Sequence, residues 1–152
     1  MSAMNPDLEL AKSTLIKKNL SLVIVKKGQV IFETKKPGIS GFLQVIEKLD
    51  KNLVASAVAD KIIGVAAATL CVYSSVSSVF AQIISDEGIR VLKDNKIEYL
   101  FEKKIPNILN RNKNDVCPFE KLAISSSNTK DAYVKLKSLA RKMIEKSTET
   151  DC

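Results

Sequence analysis

The stretch Ala55-Ser56-Ala57-Val58-Ala59-Asp60-Lys61-Ile62-Ile63-Gly64-Val65-Ala66-Ala67-Ala68-Thr69-Leu70-Cys71-Val72-Tyr73 is the most apolar in the chain. Apolar residues cover every face if it is wound as a helix, the mark of a helix buried on all sides. On that reading one helix runs from about Ala55 to Tyr73, with Gly64 and the alanines letting it lie close to a sheet. Asp60 and Lys61 are then the only charged residues between Leu53 and Ser85, and they fall in the helix's first turns. A buried charge is costly unless paired or neutralised. Asp60 and Lys61 are therefore either an ordinary helix start with a snorkelling lysine, or a polar pair at the mouth of a pocket.

Downstream, Val79 to Ile84 reads as a buried strand, with Ser85 capping a short helix through Leu92. Ile97 to Phe101 reads as another strand, and 102–116 as a polar, basic loop. Together with the helix, Ile62 to Ile84 makes an uncharged run long enough to cross a bilayer. Its serines and β-branched second half instead suggest helix, turn and strand. Cys117-Pro118-Phe119-Glu120 has the spacing of a capped helix start with Pro at the first position and Glu three residues after the cap. A final helix starts at Asn128, with apolar Ala132, Leu136, Leu139, Ala140 and Met143 opposite a lysine-rich face.

Upstream, Asn5-Pro6-Asp7 opens a helix carrying Leu8, Ala11 and Leu15 on one stripe. Leu20–Val25 and Gln29–Thr34 form a hairpin about Lys27-Gly28. A short amphipathic helix follows from about Ser40, bearing Phe42, Val45, Ile46 and Leu49. The expected architecture is a three-layer α-β-α sandwich. Its mixed sheet would be an antiparallel hairpin plus two further strands. One domain is expected over 1–152, with its core at about 6–146 and a disordered tail at 147–152. In such sheets ligands gather at the carboxyl ends of strands.

The chain has 152 residues, with 24 Lys and Arg against 17 Asp and Glu for a net charge of +7. That favours anionic partners. Only three of the cations are arginine, however, and tryptophan is absent, which argues against nucleic acid as a partner. No basic-then-apolar leader opens the sequence, so cytoplasm is the expected compartment, with no membrane association and with free thiols. Histidine is absent, which removes Ser-His-Asp and Cys-His nucleophile systems and imidazole-based metal sites. Neither a metal site nor a cofactor is expected: cysteine spacing matches no zinc pattern, and the glycines form no phosphate loop. Cys117, at a helix N-terminus near Arg111 and Lys113, is a candidate thiolate nucleophile. Ser85-Asp86 could present N–H groups to an anion.

Two segments, Ala59-Asp60-Lys61-Ile62-Ile63-Gly64-Val65-Ala66-Ala67-Ala68 and Asn110-Arg111 followed by Cys117-Pro118-Phe119-Glu120, together resemble an uncharacterised prokaryotic family, domain of unknown function 1893. The resemblance covers roughly residues 6–125 and implies a cytidine deaminase-like fold. Zinc deaminases place a His or Cys ligand with a catalytic Glu at the start of the buried helix, and two cysteines after the next strand. The corresponding places here look like Ala59-Asp60-Lys61 and Ser85-Asp86-Glu87, with no ligand set. What the resemblance implies is a pocket at Asp60, Lys61, Ser85, Asp86, Asn110, Arg111, Cys117 and Glu120. That pocket would take a small anionic or nucleotide-like ligand, with Asp60, Lys61 and Cys117 as candidate catalytic residues. Two alternatives stand beside it: a zinc-independent enzyme using Cys117, and a non-catalytic interaction or homo-oligomerisation module with a basic C-terminal helix.

Overall fold

The computed structural model describes residues 5–110 and 112–145. Its elements in order are α1 (Pro6–Lys17), β1 (Leu22–Lys26), β2 (Gln29–Thr34), α2 (Ile39–Leu49), β3 (Ala57–Ile63), α3 (Val65–Tyr73), β4 (Ser78–Ser85), α4 (Asp86–Asp94), β5 (Glu98–Ile105), α5 (Pro118–Ser125) and α6 (Thr129–Glu145). One sheet runs β2-β1-β3-β4-β5. β1 pairs antiparallel with β2 and with β3, and β3, β4 and β5 are parallel to one another. The mixed sheet is as expected, with one strand more.

That extra strand is the main correction to the sequence reading. Residues 55–73 are not one helix but strand β3, a break at Gly64, and helix α3. β3 is covered on both faces. Ala57 and Ala59 pack with α1, and Val58 packs with the helices on the opposite side. A strand buried on both faces loses its period-2 pattern and reads as continuously apolar. β5 likewise runs to Ile105, taking its last residues from the stretch expected to be loop.

The chain starts as its punctuation suggests. Asn5 accepts the Leu8 N–H at 2.7 Å, and its amide donates to Ser78 Oγ and Glu98 Oε1. Lys27 and Gly28 both take positive φ, 52° and 78°, the geometry of a tight hairpin turn that follows the strand twist. Asp7 accepts both N–H groups of that turn, at 3.1 and 2.9 Å, tying the start of α1 to the hairpin.

Two cores flank the sheet. On one face α1 alone supplies Leu8, Ala11 and Leu15 against Val23, Val25, Ala57, Ala59 and Phe80. On the other, α2 to α6 pack a much larger core that includes Phe42, Leu70, Ile84, Phe119 and Leu136. The third layer required by a sandwich is thus one helix thick, and it lies over β1, β3 and β4. Among the described residues no helix is long and apolar enough to cross a membrane.

Candidate functional site

β3 delivers its carboxyl end beside the start of α3, and the two elements are joined by the single residue Gly64. Such a tight strand-to-helix junction points backbone N–H groups of α3's first turn at whatever lies above it. Here that is Glu120. Its carboxylate reaches across from the first turn of α5 and accepts Val65 N–H at 2.8 Å and Ala66 N–H at 2.7 Å. Glu120 is buried. Burial raises its pKa, and the two N–H bonds pull in the opposite direction. The Glu three residues after Cys117 is therefore not a local capping box. It caps a helix 55 positions away, while Cys117 N–H donates to Ile108 O at 2.9 Å. Gly64 makes room for this. A Cβ there would land on the Glu120 carboxylate and within 2.6 Å of Ile108 Cγ1.

Beside this cap lies a cavity of about 90 Å³. Gly38 and Ser21 form one side, Ile108, Cys117 and Phe119 another, and Asp60 and Lys61 the end of β3. By volume it holds several water-sized groups, and so the edge of a small ring rather than a whole nucleotide. Both Asp60 and Lys61 are half-buried. The Asp60 carboxylate has one hydrogen bond, from Ile62 N–H two residues on, at 3.3 Å. Burial pushes its pKa up to about 7, against only weak opposition from the N–H groups of Ile62 and Lys61. The same charge, with burial as the larger cause, pushes the thiol of Cys71 on α3 well above its ordinary value. Asp60 therefore faces α3. Strand alternation slips beside it: Val58 and Ile63 belong to the same core although five residues apart. The slip leaves Ile62 exposed, while Lys61 N–H donates to Ser21 O at 3.1 Å.

Of the residues singled out in the sequence, the structure brings Asp60, Lys61, Cys117 and Glu120 to this one cavity. Asp60 and Lys61 arrive on a strand, not in a helix's first turns. Ser85 and Asp86 stand apart. Ser85 is buried and accepts Gly88 N–H at 3.0 Å as the cap of α4, and Asp86 pairs with Lys104 at 3.7 Å. Asn110 is occupied within its own loop, donating to Asn114 Oδ1 at 2.9 Å and accepting Asn114 N–H. Arg111 lies outside the described residues. Cys117 is fully buried and disulfide-bonded. The expectation of a free thiol there is corrected, and the nucleophile reading loses its thiolate; Cys71 is a free, buried cysteine. Ser21, Gly38, Ile108 and Phe119 were missed. Only Gly38, in the turn-forming Pro37-Gly38 pair, carried a local signal.

The donor set does not suit a zinc ion. The helix that follows β3 starts with Gly64-Val65-Ala66 rather than with Ala59-Asp60-Lys61, the one after β4 starts at Ser85-Asp86-Glu87, and the chain holds no histidine. Glu120 already takes the N–H groups of α3. Among the described residues no group of three or more His, Cys, Asp or Glu side chains is arranged to hold a metal.

This is a three-layer α/β protein with a mixed five-stranded sheet and a two-carboxylate cavity at its β3–α3 junction. The chain belongs to the family described as Domain of unknown function (DUF1893), whose model matches residues 10–139. A solved DUF1893 protein of Thermotoga maritima is 27% identical, with 90% of this chain and 92% of that one covered and a TM-score of 0.80. Weaker likenesses run to deaminase-fold proteins. One is RibD of Acinetobacter baumannii, 21% identical over 63% of this chain and 33% of that one, TM-score 0.46. Another is dCMP deaminase of the cyanophage S-TIM5, 14% identical over 67% of this chain and all of that one, TM-score 0.46. No curated protein matches the chain.

Proposed function

We propose that the protein binds a small nucleotide-like ligand at the β3–α3 cavity without zinc. The observation that supports this is Asp60: a carboxyl on the cavity wall, held near pH 7, with a single 3.3 Å bond to spend on itself. A carboxyl that is half protonated at neutral pH both donates and accepts hydrogen bonds. That suits the edge of an aminopyrimidine, where an exocyclic NH₂ sits next to a ring nitrogen. The cavity admits such an edge, and Lys61 beside it would offset the charge of an anionic group left at the mouth. Glu120 is not part of the recognition, since both its oxygens are engaged.

Cytidine 5′-monophosphate, cytidine and inorganic phosphate are the discriminating probes, read by melting temperature at pH 7. The nucleotide should raise the melting temperature and cytidine should raise it less. Both responses should vanish in Asp60→Ala, and Lys61→Ala should reduce the nucleotide to the level of the nucleoside. No response to the nucleotide or the nucleoside, or one retained in full by Asp60→Ala, overturns the proposal.

A further inference from the structure

β5 is an edge strand of eight residues without proline, paired to β4 on one side, and Leu100 to Lys104 are exposed along it. Leu100 and Phe101 are 38% and 41% exposed, on opposite faces of the strand. α1, the single helix on its side of the sheet, lies over β1, β3 and β4. A long exposed edge with apolar side chains is a template for another strand. We propose that this edge takes the β5 of a second copy of the chain, antiparallel, and joins two sheets into one of ten strands about a two-fold axis.

The sequence of β5 selects both partner and register. An edge-to-edge two-fold keeps the faces of the two sheets aligned, so opposed residues must share a face, and their numbers must both be odd or both be even. Placing Leu100 opposite Leu100 sets Glu98 against Glu102. Placing Glu102 on the axis opposes it to itself. The register between these puts Phe101 opposite Phe101, Tyr99 opposite Lys103 and Glu98 opposite Lys104, with no like charges facing. Aromatic and opposite-charge cross-strand pairs are both favourable. Parallel pairing in register would instead stack Lys103 and Lys104 on their copies. The strand is thus complementary to itself in one orientation and one register. The opposite edge, β2, is six residues long and carries a register irregularity where it pairs with β1 at Ile24-Val25, the kind of feature that blunts an edge.

Sedimentation velocity on the full chain across a hundredfold concentration range tests this. The expected wild-type species is a dimer. Phe101→Lys, which puts like charges on the axis, should give a monomer. Glu98→Lys and Lys104→Glu should each weaken dimerisation about tenfold, because each change acts at two symmetry-related pairs, and the double swap should restore it. Circular dichroism of each variant checks that it folds. A wild type that stays monomeric, or a dimer unchanged by Phe101→Lys in a folded variant, overturns the proposal. So does a double swap no tighter than the single ones.

Discussion

The two ends of the cavity hold one carboxylate each, and they are treated in opposite ways. At the α5 end, Glu120 is buried with both oxygens bonded to the first N–H groups of α3. At the β3 end, Asp60 is enclosed with a single bond to its own strand. Both side chains are pushed toward the neutral form by burial. Only Glu120 is compensated by a helix start. A buried carboxylate with its lone pairs spent belongs to the architecture. One left with free hydrogen-bonding capacity on a cavity wall costs stability and is free for a ligand.

Removing the compensated group should cost most. Glu120→Ala leaves Val65 and Ala66 N–H unsatisfied in a buried place, and Gly64→Ala drives a methyl into the same carboxylate. Each should lower stability by about 3 kcal/mol in urea unfolding. A loss below about 1 kcal/mol in both would mean that the cap is not holding α5 to α3.

The uncompensated group should show the opposite sign. The value of Asp60 in the fold, about 7, lies above its ordinary 3.8, so the native state holds the proton more tightly than the unfolded chain does. Its contribution to stability is complete below about pH 4 and is lost as pH rises through 7. Asp60→Asn should therefore stabilise the protein at pH 8, by on the order of 2 kcal/mol, and remove that part of the decline between pH 4 and 8. The lowered carboxyls of Glu47, Asp115 and Asp131 act in the reverse direction at low pH. The quantity to read is therefore the difference between wild type and variant. Destabilisation by Asp60→Asn at pH 8 would erase the contrast between the two carboxylates.

The smallest effect belongs to Lys61. Its side chain is half-buried at the cavity end, and Lys61→Ala should change stability by less than about 0.5 kcal/mol. A larger loss would make Asp60 and Lys61 a structural pair.

Local punctuation made much of the fold legible. The Asn5-Pro6 start, the Lys27-Gly28 turn and the amphipathic α2 all lie where sequence placed them, because each is decided within a few residues. β3 was hidden. Its strand is coated on both faces, so no periodicity survives, and the one mark of its end is Gly64, which also suits a helix packed closely on a sheet. The cavity was half legible. Asp60 and Lys61 stood out as charges in an apolar run, and Cys117 and Glu120 carried a helix start. The partner of Glu120 lies 55 residues away, and no local spacing encodes such a cap. Ser21, Ile108 and Phe119 reach the cavity through tertiary folding alone.

The pKa of Asp60 in the folded protein, followed by carboxyl ¹³C chemical shift from pH 3 to 9 with Asp60→Asn to assign the signal, tests the central claim most directly. A midpoint near 7 is the expected result, because nothing around that carboxyl replaces the water it has lost. A midpoint near 4, the value of an ordinary solvated aspartate, would contradict it.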